Sequence, residues 1–119
     1  MGLPMAKRLL AAGVEVWGFD VRPAEEFGTF GARMINDASE FRARVDTVFS
    51  VVRDRHQTFD LCVDDQAVFV GADAPTTLVV SSTLSPRILP EITDLLPDGA
   101  IMIDAPMSGA PARAADGTL

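Results

Sequence analysis

The sequence predicts an α/β fold: a parallel sheet with helices on both faces. Segments of strand character alternate with segments of helical periodicity along the chain, the order that parallel strands joined by helical crossovers require. Several strand segments, Thr47 to Val52 and Thr76 to Ser81 among them, are apolar at successive positions, as expected of strands buried on both sides. A third observation lies at the start: Gly2, a helix, Gly13, a strand and then Asp20.

The elements follow in order. Leu3 to Ala12 reads as a helix, with Met5, Leu9 and Ala12 at helical spacing and Ala6 and Leu10 beside them. Gly13 stops it. Val14 to Phe19 is a strand ending at Asp20, and Arg22-Pro23 marks a turn. Ala24 to Phe30 is a brief helix and Gly31 to Ile35 a short strand. Asp37 or Ser39 caps a small helix running to Arg44. After the strand from Thr47, Arg55 to Val68 forms a helix with Phe59, Cys62, Val63 and Ala67 near one face. After the strand from Thr76, Ser85 caps a helix from Pro86 to Leu96, although Pro90 falls inside it. Pro97-Asp98-Gly99 is a turn, Ala100 to Ile103 the last strand, and Asp104 to Leu119 a tail rich in Ala, Pro and Gly.

Composition excludes several classes. The 119 residues fit one domain, and no apolar run approaches the ~18 residues of a membrane span. MGLPMAKRLL lacks the apolar stretch of a signal peptide. The single cysteine, Cys62, excludes an internal disulfide and fits a reducing cytoplasm. A net charge of −7 argues against nucleic-acid binding, which needs a basic face. It leaves room for a phosphate-bearing small molecule held by backbone N–H groups at a helix N-terminus. One Cys and one His cannot build a zinc site, and no Walker A or serine-elbow pattern occurs.

The opening segment has the order of a Rossmann unit seen from its last fingerprint glycine. In such a unit a strand runs into G-x-G-x-x-G, a helix follows, and an acidic residue about 20 positions on takes the adenosine ribose hydroxyls. Gly2 precedes Asp20 by 18 positions. Met1-Gly2 then ends the fingerprint, and the first strand and first two glycines belong upstream.

The segments MGLPMAKRLLAAG, VWGFDVRP, SSTLSP, DAPMSGA and GTL, in this order and spacing, resemble the β-hydroxyacid dehydrogenase family. That family includes 3-hydroxyisobutyrate dehydrogenases and the cofactor domain of 6-phosphogluconate dehydrogenase. The resemblance covers nearly all 119 residues. It implies a Rossmann-type doubly wound parallel sheet missing its first strand, and a partial NAD(P)-binding domain whose last residues form the substrate loop. An all-helical domain would follow and is absent here. In DAPMSGA, Met107 stands for the family's valine and Ala110 for its second glycine, which is expected to narrow the loop.

The resemblance implies a role for each matched residue. Gly2 and Leu3 face the pyrophosphate, the alternative being a flexible terminus. Asp20 accepts from the ribose hydroxyls and favours NAD over NADP. Arg22 weakens that preference, since a guanidinium can pair with a 2′-phosphate; a solvated arginine is the alternative. Val51 and Val52 present backbone to the nicotinamide half, and Thr83 lies by the nicotinamide ribose. Ser108, Gly109 and Ala110 hold the carboxylate of a small hydroxyacid. Arg53 reads as a solvated arginine and His56 as a surface residue.

The resemblance implies an oxidoreductase that transfers hydride between NAD, or NADP, and a small β-hydroxyacid. No catalytic residue lies in this chain: the only lysine, Lys7, does not match the family's catalytic position. The alternatives are an inactive nucleotide-binding module and a remnant without function. No metal, nucleic acid or membrane is expected. In the order 3-2-1-4-5-6 the missing strand is central, so the strands at Val14 and Thr47 are expected to show unpaired edges. Weak stability or a homo-oligomer would follow.

Overall fold

A computed structural model describes residues 1–119. The chain forms two compact units, one of residues 1–41 with 108–119, the other of residues 42–107.

The first unit opens with α1 (Gly2–Ala11). Its C-terminus is closed by glycine: Gly13, at φ 88°, donates to Leu10 O and Val14 donates to Leu9 O. This pair of bonds satisfies the last carbonyls of the helix, and the left-handed turn needs a residue without Cβ. The strand expected over Val14 to Phe19 narrows to β1 (Gly18–Phe19), because its parallel partner β2 (Met34–Ile35) offers only two paired positions, Gly18 with Met34 and Phe19 with Ile35. Between them Ala24–Arg33 is a 3₁₀ segment, kinked at Gly28, that buries Phe27 and Phe30. Phe41 of α2 (Ala38–Arg42) packs on Phe19 with ring centroids 5.3 Å apart. Asp37 caps α2, accepting from Glu40 N at 2.8 Å. The Ala/Pro/Gly tail is not all connector. It forms α5 (Pro111–Asp116), which packs on α1 and buries Ala114. Pro at the first turn and Gly117 in the left-handed conformation supply the start and stop.

The second unit is a three-stranded parallel sheet in the order β3 (Thr47–Ser50), β4 (Thr77–Val80), β5 (Ile101–Asp104). The central strand is the most buried, with Leu78, Val79 and Val80 all in the core, as its apolar run predicts. α3 (Arg55–Cys62) is capped by Asp54, which accepts from Gln57 N at 3.0 Å while Gln57 Oε1 accepts from Arg53 N at 2.9 Å. The helix expected as far as Val68 ends at Cys62. Two acids, Asp64 and Asp65, follow at a C-terminus where the helix dipole disfavours negative charge. The chain folds back instead, with Val68 N bonding Leu61 O and Phe69 N bonding Cys62 O, and both side chains enter the core. Ala67 makes the bend at φ 49°.

α4 spans Leu89–Leu95, starting later than expected. Ser85 does not cap it; Ile88 N bonds Ser85 O in a separate turn, and Pro90 occupies the first turn, where its missing N–H costs nothing. Pro97 to Gly99 makes the expected turn, with Ala100 N on Pro97 O and Gly99 at φ 83°.

The architecture is therefore α/β with parallel sheets only. β1 has one partner, β2, and β3 has one partner, β4. These ladders have the memberships expected of a doubly wound order without strand 1. No helix is long and apolar enough to cross a membrane.

Candidate functional site

In parallel α/β folds ligands gather at the C-terminal ends of the strands. Asp20 directly follows β1 there. Its carboxylate accepts three bonds from Arg22: from the backbone N–H at 2.9 Å, from Nε at 3.3 Å and from Nη2 at 3.2 Å. Partial burial alone would raise the Asp20 pKa, but the bonds and charge of Arg22 outweigh it and hold the carboxyl below its ordinary range. The Arg22 guanidinium also lies 3.9 Å from Glu26 and over the Phe27 ring at 4.8 Å. It is thus paired rather than free.

Gly2 and Leu3 begin α1, which has no side-chain cap and no acid in its first turn. Pro4 lacks an N–H, so the N–H groups of Gly2 and Leu3 are the ones left without helical acceptors. Leu3 also lines an open pocket of ≈ 370 Å³ with Pro4, Lys7, Arg8, Ala11 and Ala115, and Asp20 is not part of it. Ser108, Gly109 and Ala110 are exposed and lead into α5. Gly109 has φ 138°, which requires glycine. Ala110 has φ −103° as the N-cap of α5, so no glycine is needed at that position.

In the second unit the loop carrying Val51 and Val52 and the loop carrying Thr83 are linked by a residue that sequence reasoning passed over. Ser82, 7% exposed, donates to Val52 O at 2.5 Å. It ties the loop after β4 to the loop after β3. Asn36 was passed over too: its Nδ2 donates to Asp20 O at 2.8 Å and to Arg22 O at 3.0 Å. His56 is a surface residue, 86% exposed and 3.4 Å from Asp60. Arg53 is exposed, as expected. Cys62 is buried, and burial pushes its thiol up to about 12, so it is no nucleophile. No group of His, Cys, Asp and Glu is placed to hold a metal.

One acceptor and two N–H donors of these kinds are what a dinucleotide requires. A carboxylate kept ionised can accept from vicinal ribose hydroxyls, and uncapped N–H groups can meet phosphate oxygens. Residues 1–119 match the family described as the NAD binding domain of 6-phosphogluconate dehydrogenase. The chain belongs to this family. Among its relatives is a probable 3-hydroxyisobutyrate dehydrogenase-like 3, mitochondrial, of Arabidopsis thaliana, 31% identical over 122 residues. An L-threonate dehydrogenase of Cupriavidus necator is 33% identical over 129 residues. The mitochondrial 3-hydroxyisobutyrate dehydrogenase of Mus musculus is 26% identical over 122 residues. Each alignment covers 100% of this chain but only 38%, 41% and 36% of the respective relative. The chain is thus an NAD-binding domain of a hydroxyacid dehydrogenase family, and it spans well under half the length of these relatives.

Proposed function

We propose that this chain is the cofactor-binding part of an NAD(P)-dependent dehydrogenase acting on a small β-hydroxyacid. The observation that carries this reading is the Asp20 carboxylate at the end of β1, bonded by Arg22, in a chain that matches an NAD-binding family over its whole length. Asp20 takes the adenosine ribose, with Arg22 holding the carboxylate until the hydroxyls compete for it. The N–H groups of Gly2 and Leu3 take the pyrophosphate. In the second unit, Val51, Val52 and Thr83 are the residues for the nicotinamide half, with Ser82 tying their two loops. Ser108, Gly109 and Ala110 take the substrate carboxylate through a hydroxyl and backbone N–H groups. NAD, when bound, supplies the hydride acceptor.

The reaction class comes from the relatives, whose names are those of hydroxyacid dehydrogenases. A second reading is favoured by one observation. The only lysine is Lys7, exposed on α1, so these residues alone bind cofactor without turnover. The free edges of β1 and β3 support association with a further strand, in a homo-oligomer or from a longer chain. The cytoplasm remains the proposed compartment, with mitochondria the alternative set by the relatives' descriptions.

Titration calorimetry of the 119-residue chain with NAD, beside an assay with 3-hydroxyisobutyrate, tests both readings. Saturable binding without NADH formation is expected. Binding that survives Asp20→Ala undiminished would remove Asp20 from the site.

A further inference from the structure

The ladder between β1 and β2 stops after two pairs, Gly18 with Met34 and Phe19 with Ile35. The next register position sets Asp20 against Asn36. There the backbone pairing gives way to a side chain. The single amide nitrogen of Asn36 uses both its hydrogens, one on Asp20 O at 2.8 Å and one on Arg22 O at 3.0 Å. These carbonyls flank Val21, which is 78% exposed and holds nothing by packing. The arch from Asp20 to Arg22 is closed on its other side by Arg22 N on Asp20 Oδ1 at 2.9 Å.

We propose that Asn36 is a positioning residue for cofactor selection. Its amide fixes the Asp20–Arg22 arch, so that the Asp20 carboxylate stands ready for two ribose hydroxyls and Arg22 stays folded onto it. This inference rests on the reading of Asp20 as the ribose acceptor. The orientation of Asp20 depends on the N–H of Arg22, and the place of Arg22 depends on where its own carbonyl is held. One amide, reaching back 14 and 16 positions along the chain, sets both ends. Without it the arch keeps only its own Arg22–Asp20 bonds and the contacts of Arg22 with Glu26 and Phe27, all of which can give way together, and Arg22 leaves Asp20 more readily to meet a 2′-phosphate.

The test is equilibrium binding of NAD and of NADP, separately, to the full chain and to Asn36→Ala. Loss of two hydrogen bonds is expected to loosen NAD about tenfold while NADP binds as before or more tightly, so the NADP-to-NAD preference shifts by at least that factor. Asn36→Asp, which keeps the shape but loses the donors, should shift it the same way. In an Asp20→Ala background Asn36→Ala should loosen NAD no further. Equal loosening of NAD and NADP, or loss of the folded far-UV spectrum in both variants, makes Asn36 merely structural and overturns the inference. Unchanged NAD binding in Asn36→Ala overturns it too, while leaving the proposed function standing. Failure of the unsubstituted chain to prefer NAD strikes the reading of Asp20 itself, and the inference falls with it.

Discussion

The hydroxyl of Ser82 donates to the carbonyl of Val52 across 2.5 Å, from 30 positions further along the chain. It extends the β3–β4 pairing beyond the last strand bond, Ser81 N on Ser50 O at 3.0 Å. The two loops at the C-terminal edge of this sheet are therefore tied to each other. Ser82→Ala leaves the Val52 carbonyl without this donor in a half-buried setting, at a cost of about 1–2 kcal/mol. Urea unfolding should show that loss. Ser82→Thr, which keeps the hydroxyl, should recover most of it, and equal losses in the two variants would mean that packing rather than the bond matters.

Asp20 makes a pH prediction with a definite sign. Its carboxyl is held below the ordinary range in the folded chain, with burial opposed and outweighed by Arg22. A carboxylate depressed on folding adds stability at neutral pH, and that increment is lost as pH falls through the folded pKa, below about pH 4. Asp20→Asn should therefore lose that increment at neutral pH and flatten part of the acid limb, so that the two stability curves converge below it. Carbon-13 titration of the carboxyl should place Asp20 below the ordinary aspartate midpoint, and Arg22→Ala should move it upward. A midpoint at or above the ordinary value would contradict the pairing.

Features of the sequence that act locally were legible in it. The apolar runs at Thr47 and Thr76 became β3 and β4, and Gly13 and Gly99 closed the turns they announced. Those read by composition alone were not. The Ala/Pro/Gly tail hid α5, whose signals, Pro111 at the start and Gly117 after the end, are positional. Ser85 before Pro86 resembled a helix start, but the helix begins at Leu89, with Pro90 in its first turn. At the candidate site, the spacing from Gly2 anticipated that Asp20 directly follows a strand. Asn36 and Ser82 were not legible, because an exposed amide and a loop serine acquire meaning only from carbonyls 14 to 30 positions away.

Two glycines of the 3₁₀ segment separate steric from conformational need. A Cβ on Gly31 would stand 2.6 Å from the Ala24 carbonyl oxygen, a backbone atom of the same segment with nowhere to go. One on Gly28 would meet nothing within 4 Å, although φ is 58° there. Gly31→Ala should cost about 1–3 kcal/mol as overpacking, and Gly28→Ala about 1–3 kcal/mol as backbone strain, because φ 58° with ψ −133° is a conformation that glycine alone adopts readily. Thermal unfolding should show a loss in each variant. An unchanged midpoint in Gly31→Ala would show that the segment relaxes around Ala24.

Cys62 provides the last prediction, on the core of the second unit. Its thiol is 2% exposed at the end of α3, and desolvation pushes it up to about 12. At pH 8 it is therefore both hidden and protonated, and the thiolate is the species that reacts. A thiol reagent such as 5,5′-dithiobis-(2-nitrobenzoate) should leave the folded chain unlabelled and label one group in denaturant. The native labelling rate then reports opening of α3 from the sheet. Ser82→Ala weakens the same unit, so it should raise that rate, whereas Asp20→Asn, in the first unit, should not. Fast labelling of the native chain would mean that the fold-back of Val68 and Phe69 does not seal the core.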